Sequence, residues 1–390
     1  MHEAIEYDCG LQPVTNRFLH QKDEKSPRFP MKLGISVWGS MQLLTPFPID
    51  EVTPRFGWIT AYEPEDHLDE LTNCVLSILA LSNTDTIVGF SFKDYSFLDR
   101  LEKITRAKAE ILDPITDFGL ENSLVGIESL QKNFTPALAR RHLSKNGPVS
   151  LLVARHVIEH AYDITAFFSS IAEIIGEDGH ALIELPDCEK GLKNGDCALL
   201  WEEHIHYFTA NTFKRCLSAH NFTVIAEFSW EYSLENCICY LIKPNCVKKR
   251  KPYNQNNNAS RDIKLFESYI DGLENNKLKI KRALFDLRQS GRTTSIFGAG
   301  HLTSTFIAFN EIEELIDYVV DDDDNKIGLF MANGGIPIRT SRHLLNEKNH
   351  DCLLGLNPNH HRNISQRLMQ TMDKSCGIYS IFPNTEKSLV

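Results

Sequence analysis

No apolar segment of this 390-residue chain approaches the uncharged run of about 20 residues that a membrane span requires. The ten cysteines are scattered, without the spacings of a disulfide framework, and the first ten residues are mixed and acidic, unlike a secretory signal. We therefore expect reduced thiols and a cytoplasmic location. Basic residues are also scarce: 41 Lys and Arg stand against 52 Asp and Glu, a net charge of −11, which argues against a nucleic-acid partner.

With 42% hydrophobic residues the chain can fold, and its length predicts two or three domains. Pro-rich and Asn-rich segments suggest the boundaries. We predict an irregular N-terminal lobe at 1–75, an α/β domain at 76–245, a linker and long helix at 246–290, and a smaller α/β domain at 291–390. The basic run Lys248–Lys251 lies in the linker and is read as a solvated tether.

Apolar strand patterns alternate with helical patterns through residues 76–245, which predicts a largely parallel sheet with helices on both faces. ITAFFSSIAEII is one such helix, and Thr209 is the expected N-cap of another. FTVIAEFSW and ENCICYLIKP are expected as two closing strands. In the second of these, Cys237 and Cys239 are predicted to face opposite sides, and we assign them no role.

In an open parallel sheet, ligands bind outside the carboxyl ends of the strands. The first predicted strand is followed by Gly89–Tyr95, the second by Asp113, and the third by Arg155–His160. A carboxylate such as Asp113 can accept both hydroxyls of a ribose, as in dinucleotide and S-adenosylmethionine sites. This edge of the sheet is therefore the first candidate for a cofactor site.

The segment Trp201–Phe208, WEEHIHYF, is the densest cluster of titratable groups in the chain. A histidine beside carboxylates can be tuned as a general base near neutral pH. Alternatively, these groups satisfy one another, and His206 or Tyr207 is structural.

After Gly291 a second α/β pattern begins, in which Gly298-Ala299-Gly300-His301 lies between a strand and a helix. Acids from Asp321 onward complete the layout of a dinucleotide site, although a third glycine is absent. Alternatively, this domain serves only for packing. The run Asp321–Asp324 is read as a solvated strand end.

The run LLVARHVIEHAYDITAFFSSIAEIIGEDGHALIELPD, followed by WEEHIHYF, resembles the bacterial sugar C-methyltransferases. SIFGAGHLTSTFIAF and IDYVVDDDDNKIGLFMANGGIPI resemble their C-terminal domain. The resemblance implies a Rossmann-like class I methyltransferase domain, a second, smaller Rossmann-like domain and a small N-terminal lobe. It also implies S-adenosylmethionine as cofactor and a nucleotide-linked keto-deoxysugar as the small-molecule substrate.

The family's Tyr-x-Glu-His motif matches Trp201, Glu203 and His204. The resemblance implies that His204 removes the proton beside the ketone and that Glu203 orients it, after which the carbanion attacks the methyl group. Trp201 stands at the tyrosine position, which leaves methylation of carbon or of oxygen open. Tyr62, in the N-terminal active-site segment, is a candidate to compensate.

Two departures from the family pattern concern binding sites. Of the zinc-binding cysteines of the N-terminal lobe only Cys9 is present, while Glu6, Ile35 and Trp38 occupy the other positions. One thiolate cannot form a four-ligand zinc site, so we predict no metal and an apolar plug in its place. In the cofactor loop, Tyr95 replaces a glycine and would be strained if that position required positive φ.

The remaining cofactor pocket is still expected, and the C-terminal loop is expected to accept part of the nucleotide-sugar. The predicted cofactor-binding residues are Gly89, Ser91, Asp94, Asp113, Arg155 and His156, and the predicted substrate-binding residues are Gly298, Gly300 and His301. Two alternatives remain open. One is a degenerate relative that binds nucleotide-sugar without methylating it, and the other is an oxidoreductase that binds NAD through the C-terminal glycine loop.

Overall fold

The structure, a computed structural model, describes residues 5–59, 63–121, 126–245 and 259–390. The strands in chain order are β1 Tyr7–Pro13, β2 Phe18–Leu19, β3 Arg28–Ile35, β4 Met41–Leu43, β5 Thr86–Gly89, β6 Lys108–Ile111, β7 Leu151–Arg155, β8 His180–Asp187, β9 His206–Tyr207, β10 Phe222–Trp230, β11 Asn236–Pro244, β12 Thr293–Phe297, β13 Tyr318–Val320, β14 Phe330–Met331, β15 Ile338–Arg339, β16 His350–Leu354 and β17 Gly377–Ser380.

The α-helices are α1 Ile49–Val52, α2 Leu68–Ile78, α3 Tyr95–Thr105, α4 Ile127–Asn133, α5 Pro136–Asn146, α6 Ile164–Ile175, α7 Glu189–Asn194, α8 Ala210–Ala219, α9 Ala259–Gln289, α10 His301–Asn310 and α11 His361–Thr371. Short 3₁₀ helices occupy Phe92–Asp94, Ile158–His160, Cys197–Leu199, Glu313–Leu315, Ser341–Asn346 and Pro358–His360. No helix within the described ranges combines the length and the apolar character needed to cross a membrane.

The chain forms two compact units, each assembled from separate segments. Unit 1 comprises Met1–Gly34, Lys190–Glu202 and Ile263–Val390, and unit 2 comprises Ile35–Glu189 and Glu203–Asp262. The domains that we predicted from the sequence, with boundaries at 75, 245 and 290, are each one continuous segment of the chain. These boundaries stay predictions.

The main sheet of unit 2 has the strand order β10-β11-β8-β7-β5-β6. Strands β6, β5, β7 and β8 are parallel, and β11 runs antiparallel to both β8 and β10. This is the sheet of a Rossmann-like class I methyltransferase fold, with one reversed strand near one edge. The predicted parallel sheet and the two closing strands are confirmed.

Helices cover both faces of this sheet, as the alternating pattern predicts. On one face, Leu68 and Leu71 of α2 pack with Phe97 and Leu101 of α3. On the other face, α4, α5, α6 and α8 bury an aromatic-rich cluster that includes Phe167. The carboxyl ends of β5, β6, β7 and β8 therefore lie along one edge, where the candidate site is built.

Unit 1 contains a parallel sheet of order β15-β13-β12-β16-β17, a second Rossmann-like arrangement. Helix α9 confirms the predicted long helix, and its buried stripe includes Phe266, Tyr269 and Leu273. The basic run Lys248–Lys251 and the asparagine tract at 254–258 lie outside the described residues.

Candidate active site

The segment that follows β5 is a tight turn into a helix. Ser91 Oγ accepts from the Lys93 N–H at 3.3 Å, and the Asp94 carboxylate accepts from the Ser91 N–H at 2.8 Å. Asp94 is fully buried and also accepts from the Arg155 N–H at 2.9 Å. Burial is the main reason why the pKa of Asp94 is raised to about 7. Both carboxylate oxygens of Asp94 therefore brace this turn.

Gly89 and Tyr95 flank the turn in different environments. A Cβ added at Gly89 would lie 2.7 Å from Leu98 Cδ1, so this position is closely packed. Tyr95 has φ −52° and its residue surface is 67% exposed. Tyr95 therefore occupies ordinary helical backbone, and the strain that would follow from positive φ does not arise.

Asp113 follows β6 and remains exposed. Its Oδ1 accepts from the backbone N–H groups of Ile115 at 3.0 Å and Thr116 at 2.7 Å, which fixes the side chain at the end of the strand. The hydrogen bond from Thr116 is the main cause of the lowered pKa of Asp113. An ionised, exposed carboxylate at this edge can accept hydroxyl groups of a ligand.

Arg155 and Glu184 form a buried ion pair across the neighbouring strands β7 and β8. Arg155 Nε and Nη2 donate to the two carboxylate oxygens at 3.0 Å each, and Nη1 donates to the Lys93 carbonyl at 2.7 Å. His156 Nε2 lies 3.1 Å from Glu184 Oε1. Burial raises the pKa of Glu184, but the bonds from His156 and His67 lower it well below its usual range. The guanidinium predicted to contact the cofactor is directed to these internal acceptors.

A second, partly buried ion pair joins Lys93 Nζ to Glu63 Oε1 at 2.7 Å. His156 Nδ1 lies 3.5 Å from Glu63 Oε2 and 3.4 Å from Glu159 Oε1. Burial raises the pKa of Glu63, but the charges of His156 and Lys93 outweigh it and lower the pKa to about 2. A continuous ion network therefore links the turn after β5 to the end of β7.

Glu159 retains an unused acceptor in this network. The residue is 1% exposed, and its Oε2 has no hydrogen-bond partner among the residues that the structure describes. A buried carboxylate oxygen without a donor is costly to maintain. Glu159 is therefore a point at which this network lacks a hydrogen-bond donor.

Glu128, His160 and His204 meet beside this network. His160 Nδ1 lies 2.8 Å from Glu128 Oε1, and both side chains are buried. The His204 ring meets the His160 ring edge-on, with 4.8 Å between centroids. Burial raises the pKa of Glu128, but its close pairing with His160 lowers the pKa overall. Since His204 is half-buried, it is the histidine that a substrate can reach, while Glu128 can stabilise positive charge on the pair.

Glu203 belongs to the same cluster. One ligand atom each of Glu203, Glu128 and His160 lie within 4.8 Å of one another. Nearby, the Tyr162 hydroxyl donates to the Phe47 carbonyl at 2.7 Å, and burial followed by the charges of Glu128 and Glu203 raises the pKa of Tyr162. The structure thus brings the predicted pair Glu203 and His204 together with groups that the sequence analysis left unassigned.

The structure does not place the other two predicted catalytic residues, Trp201 and Tyr62, in this cluster. Trp201 belongs to unit 1, where its ring stacks on that of His301 with 4.6 Å between centroids. Tyr62 lies outside the described residues. Catalytic roles for Trp201 and Tyr62 stay predictions.

The C-terminal glycine loop joins β12 to α10. Gly298 has φ +107°, which favours glycine, and a Cβ added at Gly300 would meet no atom within 4 Å. Asp321 Oδ2 accepts from the Ala299 N–H at 2.7 Å, and its side chain is only 14% exposed. Reading the whole run Asp321–Asp324 as solvated was therefore wrong for Asp321, which holds the loop in place.

The N-terminal positions that correspond to the family's zinc ligands carry other contacts. Trp38 packs edge-on against His220, with 5.6 Å between ring centroids, and its carbonyl accepts from Arg215 Nε at 2.7 Å. Burial is the main cause that raises the pKa of the Cys9 thiol. The absence of zinc from this lobe stays a prediction.

Cys237 and Cys239 share one face of β11, so the prediction that they face opposite sides is wrong. Both belong to the core cluster beneath α2 and α3, whereas Ile238 packs in the cluster on the other face. Side chains alternate along a strand, and residues two apart therefore point the same way.

Comparison with known proteins identifies the two domains. Residues 107–227 match the family described as "Methyltransferase domain", and residues 250–383 match "C-methyltransferase C-terminal domain". The chain therefore contains a methyltransferase domain followed by a C-methyltransferase C-terminal domain. The family resemblance seen in the sequence is therefore confirmed.

A curated relative, the C-methyltransferase NovU of Streptomyces niveus, is 22% identical over 223 residues. The match covers 55% of this chain and 52% of NovU, so the chain spans about half the length of this relative.

Solved structures with similarity include a SAM-dependent methyltransferase from Anabaena variabilis, 12% identical, with a TM-score of 0.30 over 46% of this chain and 86% of that chain. Another is the 1,6-didemethyltoxoflavin-N1-methyltransferase of Burkholderia thailandensis, 9% identical, with a TM-score of 0.29 over 46% and 79% of the two chains.

The sequence analysis placed Glu159 and His160 at the candidate edge of the sheet, because they follow a strand at its carboxyl end, but it gave them no role. It did not single out Glu128. Glu128 gave no such signal, since it lies in α4, far from His160 in the chain.

Proposed function

We propose that this chain is an S-adenosylmethionine-dependent methyltransferase that methylates a carbon of a nucleotide-linked keto-deoxysugar. The cytoplasmic location and the nucleotide-sugar substrate expected from the sequence are part of this proposal. The observation that carries it is the Glu128–His160–His204 cluster. It supplies a reachable imidazole backed by a buried carboxylate, at the strand ends where such folds bind their ligands.

Two carboxylate acceptors at the sheet edge fit the cofactor. The exposed carboxylate of Asp113 suits the ribose hydroxyls, and the unpaired Oε2 of Glu159 suits the ammonium of the methionine part. When bound, S-adenosylmethionine would supply an electrophilic methyl group on a sulfonium. Gly89, Ser91, Asp94, Arg155 and His156 would act mainly by holding the shape of the turn and the ion network.

His204 would act as the general base that removes the proton from the carbon beside the ketone. His160 and Glu128 would position its ring and compensate the positive charge that develops on it. Glu203 would contribute to the same compensation. The open space before Gly300 supports a role for Gly298, Gly300 and His301 in accepting part of the nucleotide-sugar.

The base step can be measured without the methyl donor. In D₂O, the protein should catalyse hydrogen exchange at the carbon beside the ketone of a nucleoside-diphosphate keto-deoxysugar, and His204→Asn should slow it by about 100-fold or more. His180→Asn, at the amino end of β8, is the matched control and should exchange normally. Equal exchange rates in both variants would remove His204 as the base.

Cofactor binding can be measured by calorimetric titration. Asp113→Ala should weaken S-adenosylmethionine binding roughly 10- to 100-fold, the range expected for losing a hydrogen bond to a charged group. Asp117→Ala is a control for the shape of the turn alone, because Asp117 Oδ2 accepts from the Asp113 N–H. Equal affinities in wild type and Asp113→Ala would contradict the assignment.

A specific observation favours a second candidate, the degenerate nucleotide-sugar-binding relative. Lys93 points into the ion network from the turn after β5, the segment that corresponds to the family's glycine-rich cofactor loop. Under this candidate, the same titration would detect nucleotide-sugar but no S-adenosylmethionine. For the NAD alternative we find no support, because Asp321 is engaged with its own loop.

A further inference from the structure

Four potential metal ligands converge on the α2 side of the main sheet of unit 2. His67 directly precedes α2, Glu184 lies on β8, and Cys237 and Cys239 lie on β11, where Cys239 is paired with Glu184. All four residues are buried, and one ligand atom from each lies within 4.8 Å of the other three. None of these residues belongs to the histidine cluster proposed for catalysis.

The separations match a small tetrahedral ion. His67 Nε2 lies 3.1 Å from Glu184 Oε2 and 3.7 Å from Cys237 Sγ, and Cys239 Sγ lies 3.4 Å from Glu184 Oε2. A tetrahedron with zinc–ligand bonds of about 2.0 to 2.3 Å has edges of roughly 3.3 to 3.8 Å. These three separations differ from tetrahedral edges by a few tenths of an ångström at most, and the remaining pairs lie within 4.8 Å, so small side-chain shifts would close the cluster around an ion.

The surroundings orient the ligands as a metal site requires. His67 Nδ1 is hydrogen-bonded to the Tyr232 hydroxyl at 2.8 Å, which leaves Nε2 directed into the cluster. Arg155 holds Glu184 through both carboxylate oxygens. Such outer contacts fix the tautomer and direction of metal ligands. Two thiolates, one carboxylate, a divalent ion and the Arg155 guanidinium also sum to zero charge.

We infer that His67, Glu184, Cys237 and Cys239 form a structural site for a thiophilic divalent cation, with zinc as the best match to two sulfurs, one nitrogen and one oxygen. The ion would tie the start of α2 to β8 and β11. The site adjoins the ion network of the cofactor turn, because Glu184 also accepts from Arg155 and His156, but it shares no residue with the proposed catalytic cluster. It departs from the sequence-based expectation of no metal, which rested on the N-terminal cysteines alone.

The first test measures zinc bound to the full chain, purified without chelators, by plasma mass spectrometry. About one zinc per chain is expected in wild type, and the double variant Cys237→Ser/Cys239→Ser should lose it. Cys74→Ser, a half-buried cysteine outside the cluster, is the matched control and should retain it. Zinc that remains in the double variant, or none in wild type, overturns the inference.

The second test does not depend on whether the double variant folds. Cobalt is added to wild type from which zinc has been removed, and the absorption spectrum is recorded. Sulfur-to-cobalt charge-transfer bands with tetrahedral visible bands are expected, and His67→Gln should weaken cobalt binding at least 10-fold. Octahedral cobalt without sulfur bands would place the metal on carboxylates and histidines elsewhere, and it would refute the site.

Discussion

Replacing Arg155 by Met removes the guanidinium from the interior of unit 2 while keeping a side chain of similar length. The two bonds to Glu184, each 3.0 Å long, and the 2.7 Å bond to the Lys93 carbonyl are lost. Removing one partner of a buried ion pair costs about 3 to 5 kcal/mol. Since His156 still donates to Glu184, we expect a loss of about 3 kcal/mol in the free energy of unfolding.

Urea unfolding followed by circular dichroism measures this loss. Lys103→Met is the matched control, because Lys103 pairs with Asp99 at the surface with its side chain 71% exposed, and it should cost less than about 1 kcal/mol. If Arg155→Met were as stable as Lys103→Met, the buried network would not be a stabilising element. A folded Arg155→Met that lost only S-adenosylmethionine affinity would instead support direct contact with the cofactor.

Two further predictions concern stability. Gly179→Ala should lower the free energy of unfolding by about 1 to 3 kcal/mol, because the added Cβ would lie 2.3 Å from the Ile175 carbonyl oxygen. Gly300→Ala is the control and should cost nothing measurable, because its Cβ meets no atom within 4 Å. Equal thermal stabilities of the two variants would contradict this prediction. Burial lowers the pKa of His206 to about 4, so its contribution is present above pH 6.5 and is lost as the pH falls toward 4. Between pH 7 and 4.5 this loss should reach about 2 to 3 kcal/mol, and His206→Gln should abolish it in urea titrations at the two pH values; an unchanged pH dependence in the variant would exclude His206 as the source.

Helices were predicted well where the spacing of apolar residues and the capping residues indicated the same bounds. Helix α6 spans Ile164–Ile175 as predicted, because its apolar residues recur at helical spacing between a capping Asp163 and Gly176 with φ +63°. Thr209 likewise caps α8 through its bond with the Thr212 N–H. Here propensity, periodicity and capping all favour one structure.

The features that local patterns missed depend on distant partners. Glu128 and His160 are brought together by the packing of α4 against the segment after β7, and no spacing in the sequence records that contact. Asp321 was read as solvated because four acids in a row are usually exposed, yet the loop N–H of Ala299 captures it. For Cys237 and Cys239 the alternation of side chains along a strand was sufficient to predict that they share one face, and our prediction of opposite faces did not follow from it.

The chain crosses between its two compact units at residues 34/35, 189/190, 202/203 and 262/263. Consequently, a single genetic crossover cannot exchange one intact unit between relatives, since any one breakpoint leaves at least one unit with pieces from both parents. Any such hybrid therefore joins residues of two parents within unit 1, which contains both the first and the last segment of the division.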